Sequence, residues 1–144
     1  MKRQIEVVGA ILIDNQENIL CTQRKNSGVL ALKWEFPGGK VETGETPQEA
    51  LIREIKEELE LDIFSLSHFL TVNYEYTTFT ILFHTFTCKC LNTNYVLNDH
   101  ENAKWVNRKD LLTLDWADAD LPIVAKLMEG GSNELFRSFS KQNV

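Results

Sequence analysis

Glu54, Glu57 and Glu58 stand at positions i, i+3 and i+4 of the segment "TPQEALIREIKEELEL". On a helix that advances about 100° per residue, all three fall on one strip, about 240–340° from Leu51. The apolar stripe of Leu51, Ile52, Ile55 and Leu59 lies beside it, between 0° and about 100°. Such a run ordinarily marks a solvated acidic face. Two costs weigh against that meaning here. Like charges at i, i+4 destabilise a helix by about 0.2–0.5 kcal/mol per pair, and Glu54 and Glu58 form such a pair. Glu57 and Glu58 also fall near the C-terminal end, where the helix dipole disfavours negative charge. A hard divalent cation offsets both. Mg²⁺ prefers oxygen ligands, keeps several waters, and is usually held by one or two carboxylates plus substrate phosphates. Gly38 and Gly39 precede the helix; they permit a sharp turn, and a carbonyl of either can join the oxygen shell. Loop and acidic helix together read as a site for metal-bound phosphate. The sequence has no GxxxxGK[ST] loop, and His68, His84 and His100 are too scattered for a zinc centre.

The elements that must position these acids are legible in outline. Thr46 is an N-cap, Pro47 opens the helix, and Glu49 completes a capping box; the helix runs to about Leu59. Residues 4–13 and "ILCTQR" read as strands around the turn cluster "DNQEN". Residues 25–33 form a loop, and Pro37-Gly38-Gly39 breaks a short extended piece. Residues 62–76 and 78–90 read as paired strands, and the polar loop "NTNYVLNDHEN" leads to the short strand "AKWV". Asn107 caps a short helix over "RKDLLTL"; Asp120 is placed to cap another through "LPIVAKLM", which Gly130-Gly131 stops. Residues 132–144 form a peripheral tail or a short helix. Strands occur before, between and after the helices without regular alternation, so the expected fold class is α+β, with helices packed on a mixed sheet.

The chain has 144 residues, which suits one domain spanning 1–144. The net charge of −6 disfavours binding along a nucleic-acid backbone. No segment is long and apolar enough to span a membrane, and the N-terminal run, which contains Glu6, reads as a strand and not a signal peptide. Three cysteines without metal-ligand spacing fit reduced thiols and a cytoplasmic setting.

The stretch from Gly39 to Leu61 resembles the Nudix hydrolases, whose box reads G-x5-E-x7-R-E-U-x-E-E-x-G-U with U a bulky apolar residue. Gly39, Glu45, Arg53, Glu54, Ile55, Glu57, Glu58 and Leu61 match it, and Glu60 stands at the late glycine. "WEFPGGKVETGETPQEAL" and "WADADLPIVAKLM" resemble the MutT branch, which includes CTP pyrophosphohydrolase-like proteins; the likeness spans roughly residues 4–128. It implies an α/β/α sandwich and a Mg²⁺-dependent hydrolase, with Mn²⁺ as a substitute, that converts a nucleoside triphosphate to the monophosphate and pyrophosphate. A cytosine nucleotide and an oxidised purine nucleotide are the two main substrates. The alternatives are a catalytically silent sensor of a nucleotide or ADP-ribose, and an RNA-end hydrolase. A monomer and a homodimer are both open.

Residue by residue, the resemblance makes Glu54, Glu57 and Glu58 metal ligands, with a backbone carbonyl at Gly38 or Gly39. Glu45 supports or ligates. Arg53 orients a neighbouring carboxylate, the alternative being a surface ion pair. Asp99 or Glu101 is the general base, Asp99 standing nearer the family position before Trp105, with Glu54 competing. Arg24, Glu35 and Phe36 line the nucleotide cleft, although Phe36 serves equally as core. Asp120 either reads the base or caps the last helix. Tyr76 and Phe79 are placed to stack on a base, with core packing the stronger expectation for each.

Overall fold

The computed structural model describes residues 2–129. The expectations for Gly130-Gly131 and for the tail at 132–144 lie outside the described residues. Strand β1 spans Arg3–Leu12 and β2 Asn18–Gln23, followed by the short strands β3 (Trp34–Glu35) and β4 (Gly38–Lys40). Helix α1 covers Pro47–Leu59; β5 (Ile63–Glu75) and β6 (Phe79–Cys90) form a hairpin; β7 is Asn102–Asn107. Two 3-10 segments, Arg108–Thr113 and Asp118–Asp120, lead into helix α2 at Leu121–Met128.

The strands make two sheets; the larger is the expected mixed sheet, and a smaller one accompanies it. One has the order β4-β1-β6-β5, with β1 and β6 parallel and the remaining pairs antiparallel. The other is antiparallel, in the order β3-β2-β7. The division was hidden because β1 and β2 follow one another through a tight turn, as a hairpin would. Asp14 Oδ1 accepts from the Gln16 and Asn18 amides at 2.8 Å each, and the chain re-emerges in the second sheet.

Helices cover both faces of this framework. Val8, Ala10, Leu12 and Leu20 pack with Leu51, Ile55 and Leu59 of α1; Ile11, Ile19 and Cys21 pack with Ile123, Val124 and Leu127 of α2. Alternate residues of β1 and β2 thus enter opposite cores, which is why their sequences are apolar without interruption. The buried arc of α1 is Ala50, Leu51, Ile55 and Leu59, whereas Ile52 is 44% exposed. The helix is therefore rolled toward its acidic side relative to the expected stripe. Glu54 and Glu58 fall between Ala50 and Leu51 on the wheel, inside the buried arc and not beside it.

Both ends of α1 are capped. Glu49 N donates to Thr46 Oγ1 at 3.1 Å and Thr46 N to Glu49 Oε1 at 2.9 Å, the reciprocal box expected from the sequence. Glu60, at the late glycine position, closes the helix in the left-handed region with φ 57°. Asn107 caps its 3-10 segment through the Lys109 amide, as expected.

Candidate active site

Gly38 and Gly39 do not turn the chain. They form β4, paired antiparallel with Gly9 and Val8 of β1, and the sharp turn before α1 is made instead at Gly44, with φ 87°. The glycines serve close approach. A Cβ on Gly38 would overlap the Val8 carbonyl oxygen, and one on Gly39 would overlap the Glu54 carboxylate. The absence of both side chains lets α1 settle its acidic flank directly onto this edge strand.

Arg53 holds that flank in shape. Its Nε and one terminal nitrogen donate to the two oxygens of Glu45 at 2.7 and 2.9 Å. Its other terminal nitrogen reaches Glu54 Oε1 at 2.8 Å and Glu57 Oε2 at 3.3 Å, and the Lys40 carbonyl accepts at 3.1 Å. This is a fixed fork and not a loose surface pair. The Arg53 hydrogen bonds pull the Glu45 carboxyl down to about 2, so Glu45 stays ionised and bound to Arg53.

The strip of three acids divides. Glu57 turns to Arg53, with its side chain 60% exposed, and it is not among the residues lining the cleft described below; Glu54 and Glu58 are. Burial raises the Glu54 carboxyl, with Arg53 opposing. Burial and then the charges of Glu54, Glu35 and Asp99 push Glu58 up to about 9. Its Oε1 is buried with no hydrogen-bond partner. Among the described residues no three His, Cys, Asp or Glu side chains form a ready metal cage. An unsatisfied carboxylate oxygen, a second carboxylate and bare glycine backbone fit a hard divalent ion that takes its remaining ligands from water and phosphate. Glu54, Glu58 and the carbonyls of Gly38 or Gly39 can hold it.

These groups line a cleft of about 620 Å³. Arg24, Lys25 and Lys40 stand on its walls and bring positive charge to a site otherwise rich in acids. Asp99 lines the same cleft; Glu101 does not. Asp120 lines it too; its carboxylate is buried and its Oδ1 accepts from Phe36 N at 3.0 Å. Asp120 makes no side-chain cap bond to α2, so the capping alternative fails: the carboxylate is drawn across to β3 instead. Burial, then the charge of Glu35, raises its pKa well above the usual carboxylate range. The backbone places it there, because Trp34 N donates to Asp115 O and Ala117 N to Trp34 O, binding the 115–120 segment alongside β3. Phe36 fills both expected roles, lining the cleft while its ring packs on Trp116 with centroids 4.7 Å apart. Tyr76 also lines the cleft; its hydroxyl accepts from Ala119 N and its ring stacks on Phe79, which stays behind it.

Several cleft residues escaped sequence reasoning, Lys25, Lys40 and His100 among them. His100 is buried, its Nε2 lies 3.2 Å from Glu35 Oε2, and its Nδ1 has no partner. Arg24 donates to the other Glu35 oxygen at 3.1 Å. The signal lies in strand register, not in any motif: Thr22 pairs with Glu35 on one side and Ala103 on the other, so β3 and the approach to β7 meet across β2. The other two histidines meet through one hydroxyl, apart from His100, and no zinc centre forms among the described residues. Thr71 Oγ1 lies 2.7 Å from His68 Nε2 and 3.0 Å from His84 Nδ1, and His84 Nε2 lies 2.8 Å from Glu6.

The family model described as "NUDIX domain" matches residues 3–127. The chain belongs to the Nudix family. Two Escherichia coli K12 relatives illustrate its neighbourhood within the Nudix hydrolases. An 8-oxo-dGTP diphosphatase is 32% identical over 127 residues, 88% of this chain and 98% of the relative. A CTP pyrophosphohydrolase is 31% identical over 126 residues, 88% of this chain and 93% of the relative. Among solved structures, the MutT Nudix protein of methicillin-resistant Staphylococcus aureus 252 is 42% identical, with a TM-score of 0.71, covering 91% of this chain and all 100% of its own. A Methanosarcina mazei MutT protein has a TM-score of 0.73 at 22% identity over 99% of this chain and 96% of its own, a likeness of fold alone. The expected Nudix architecture is therefore present, an α+β sandwich with α1 and α2 on opposite faces. Nudix hydrolases work with divalent metal ions. Among the described residues no helix is long and apolar enough to cross a membrane.

Proposed function

We propose that this Nudix hydrolase is a Mg²⁺-dependent pyrophosphohydrolase that converts a nucleoside triphosphate to its monophosphate and pyrophosphate, with Mn²⁺ as a substitute. The observation that carries the reading is the layout of one cleft. Glu54, Glu58 with its unpartnered oxygen, and the bare backbone of β4 line the same cleft as the buried Asp120 with Phe36 and Tyr76. A metal-bound triphosphate suits the first group and a base the second. When bound, Mg²⁺ supplies charge neutralisation at the phosphate oxygens and a more acidic water. Glu54 and Glu58 hold it, with Glu57 completing the set only if it leaves Arg53. Arg24, Lys25 and Lys40 draw in the phosphates. Arg53 keeps the Glu54 carboxylate aimed across Gly39. Asp99 takes the proton of the attacking water, being an exposed carboxylate that lines the cleft close to Glu58. The three free cysteines suit a reducing compartment, and we place the enzyme in the cytoplasm.

The relatives named above act on an oxidised purine nucleotide and on CTP by their names, and these are the two substrates proposed here. Pyrophosphate release from CTP, dCTP, 8-oxo-dGTP and the ordinary nucleoside triphosphates, all with Mg²⁺, tests this choice. One of the two classes is expected to exceed the others by about 10-fold or more in kcat/KM, since a built hydrogen-bonding pocket discriminates at least that strongly. Equal rates across the panel would refute it.

Two substitutions test the assignment of roles. Asp99→Asn is expected to lower kcat by about 10²-fold or more, the usual range for a lost general base; a near-normal rate passes the role to Glu54. Gly39→Ala is expected to cost about 10²-fold in kcat with an unchanged circular dichroism spectrum, because the new methyl group displaces the Glu54 carboxylate by a fraction of its own width. An unaltered rate would mean that Glu54 works from more than one position.

A further inference from the structure

We propose that Glu60 and Asn98 form a latch that fixes the loop carrying Asp99 and His100 against the acidic end of α1, and that both are positioning residues for turnover. The proposal deepens the hydrolase reading and rests on it for its kinetic arm only.

The last four carbonyls of a helix lack partners within it. Here each has a donor. Glu60 N serves Lys56 O at 3.1 Å, Asn98 N serves Glu58 O at 3.1 Å, and Val96 N serves Leu59 O at 2.9 Å. The Asn98 side-chain amide serves Glu57 O at 2.9 Å. Three of the four donors therefore come from one loop, residues 96–98, far along the chain from the helix. The same Asn98 nitrogen also donates to Glu60 Oε2 at 3.0 Å. Two acceptors on one nitrogen fix which way the amide points, since only the NH₂ group can donate to both.

Glu60 is thereby explained. It occupies the left-handed conformation, φ 57° and ψ 36°, that a glycine takes without cost and a long-chain residue does not. Its side chain returns something glycine cannot offer, an acceptor for Asn98. The strain of the helix exit is exchanged for a fixed loop. Beyond Asn98 the chain is pinned again: His100 Nε2 meets Glu35, and Glu101 N donates to Gln23 O at 2.9 Å. Asp99 is the residue between the two anchors, and it lines the cleft beside Glu58. Asp99 lies in the connection 91–101 between β6 and β7, and loss of the Asn98 contacts leaves it held from the His100 side alone.

Glu60→Gly is the decisive variant, because stability and turnover are expected to move apart. The melting temperature stays unchanged or rises by about 2–4 °C as left-handed strain is relieved. Turnover falls about 10-fold, with KM within about 2-fold, as misplacement of a reacting group affects the chemical step. Asn98→Ala produces the same fall in kcat with a lower melting temperature, and the double variant is no slower than Asn98→Ala alone. Glu60→Gln keeps an acceptor oxygen and restores kcat. Amide hydrogen exchange over residues 96–100, read without substrate or metal, is faster in Glu60→Gly than in the natural protein. This second readout separates the latch from the hydrolase reading: an inactive natural protein would end the latter and leave the former to the exchange data. A Glu60→Gly variant with natural kcat and natural exchange would overturn the latch, as would a Glu60→Gln variant as slow as Glu60→Gly.

Discussion

Glu58→Gln is expected to lower kcat by about 10³-fold at saturating Mg²⁺, the equivalent of about 4 kcal/mol of transition-state stabilisation. It is also expected to make the metal-free protein more stable. Both follow from one side chain. Glu58 lies within the buried arc of α1, its Oε1 has no hydrogen-bond partner, and Glu54, Glu35 and Asp99 surround it with like charge. A neutral amide of the same shape suits that place better than an ion does. An acid whose folded pKa lies above its unfolded value binds more protons in the folded state between the two. The metal-free protein is therefore expected to lose stability as the pH rises from 4.5 toward about 9. Glu54 and Asp120, both raised by burial, add to the same slope at their own positions. Thermal melts in chelator across this range check the direction. With Mg²⁺ the slope flattens, because the ionised carboxylate is then the favoured form. Glu58→Gln removes the Glu58 share whether or not metal is added. A pH-independent melting temperature in chelator, or a Glu58→Gln variant at full speed, would be incompatible with a metal-holding Glu58.

Asp120→Asn is expected to change the ratio of kcat/KM between cytosine and oxidised-purine nucleotides by about 10- to 10²-fold, the range for one or two hydrogen bonds that discriminate bases. Asp120 Oδ1 is committed to Phe36 N. The second oxygen is what remains for the base, and in asparagine an amino group stands there while the amide oxygen keeps the Phe36 bond. Asp120→Ala is a poorer probe. It leaves the Phe36 N–H buried without an acceptor, at a cost of about 1–3 kcal/mol of stability, and would mix unfolding with selectivity. A uniform fall across all nucleotides in the asparagine variant would remove Asp120 from base selection and leave it as a brace for β3.

The sequence reading succeeded where the physics is local. The Thr46–Glu49 box, the extent of α1 and the Asn107 cap each depend on residues within one turn of one another, and each is present as expected. It failed where partners come from elsewhere. The wheel set Ile52 toward the core and the three acids beside it; packing against β1 and β4 rolled the helix, exposed Ile52 and left Glu54 and Glu58 half-buried on the cleft. Gly38 and Gly39 were read as a turn because their close neighbours, the Val8 carbonyl and the Glu54 carboxylate, belong to other elements. At Asp120 the cap alternative was removed by the Phe36 amide, 84 residues earlier in the chain, which takes the carboxylate away from α2. His100 carried no spacing that would separate it from any other histidine until β2 brought it to Glu35. The box acids were thus legible as a group, whereas the division between Glu57, held by Arg53, and Glu54 with Glu58, facing the cleft, required the fold.

Product analysis after incubation with CTP or 8-oxo-dGTP and Mg²⁺ tests the account most directly. The account predicts monophosphate and pyrophosphate in equal amounts for at least one of the two, with release stopped by a chelator and restored by added Mg²⁺ or Mn²⁺. Orthophosphate paired with a nucleoside diphosphate, release that survives the chelator, or tight binding of both nucleotides with no turnover would contradict it.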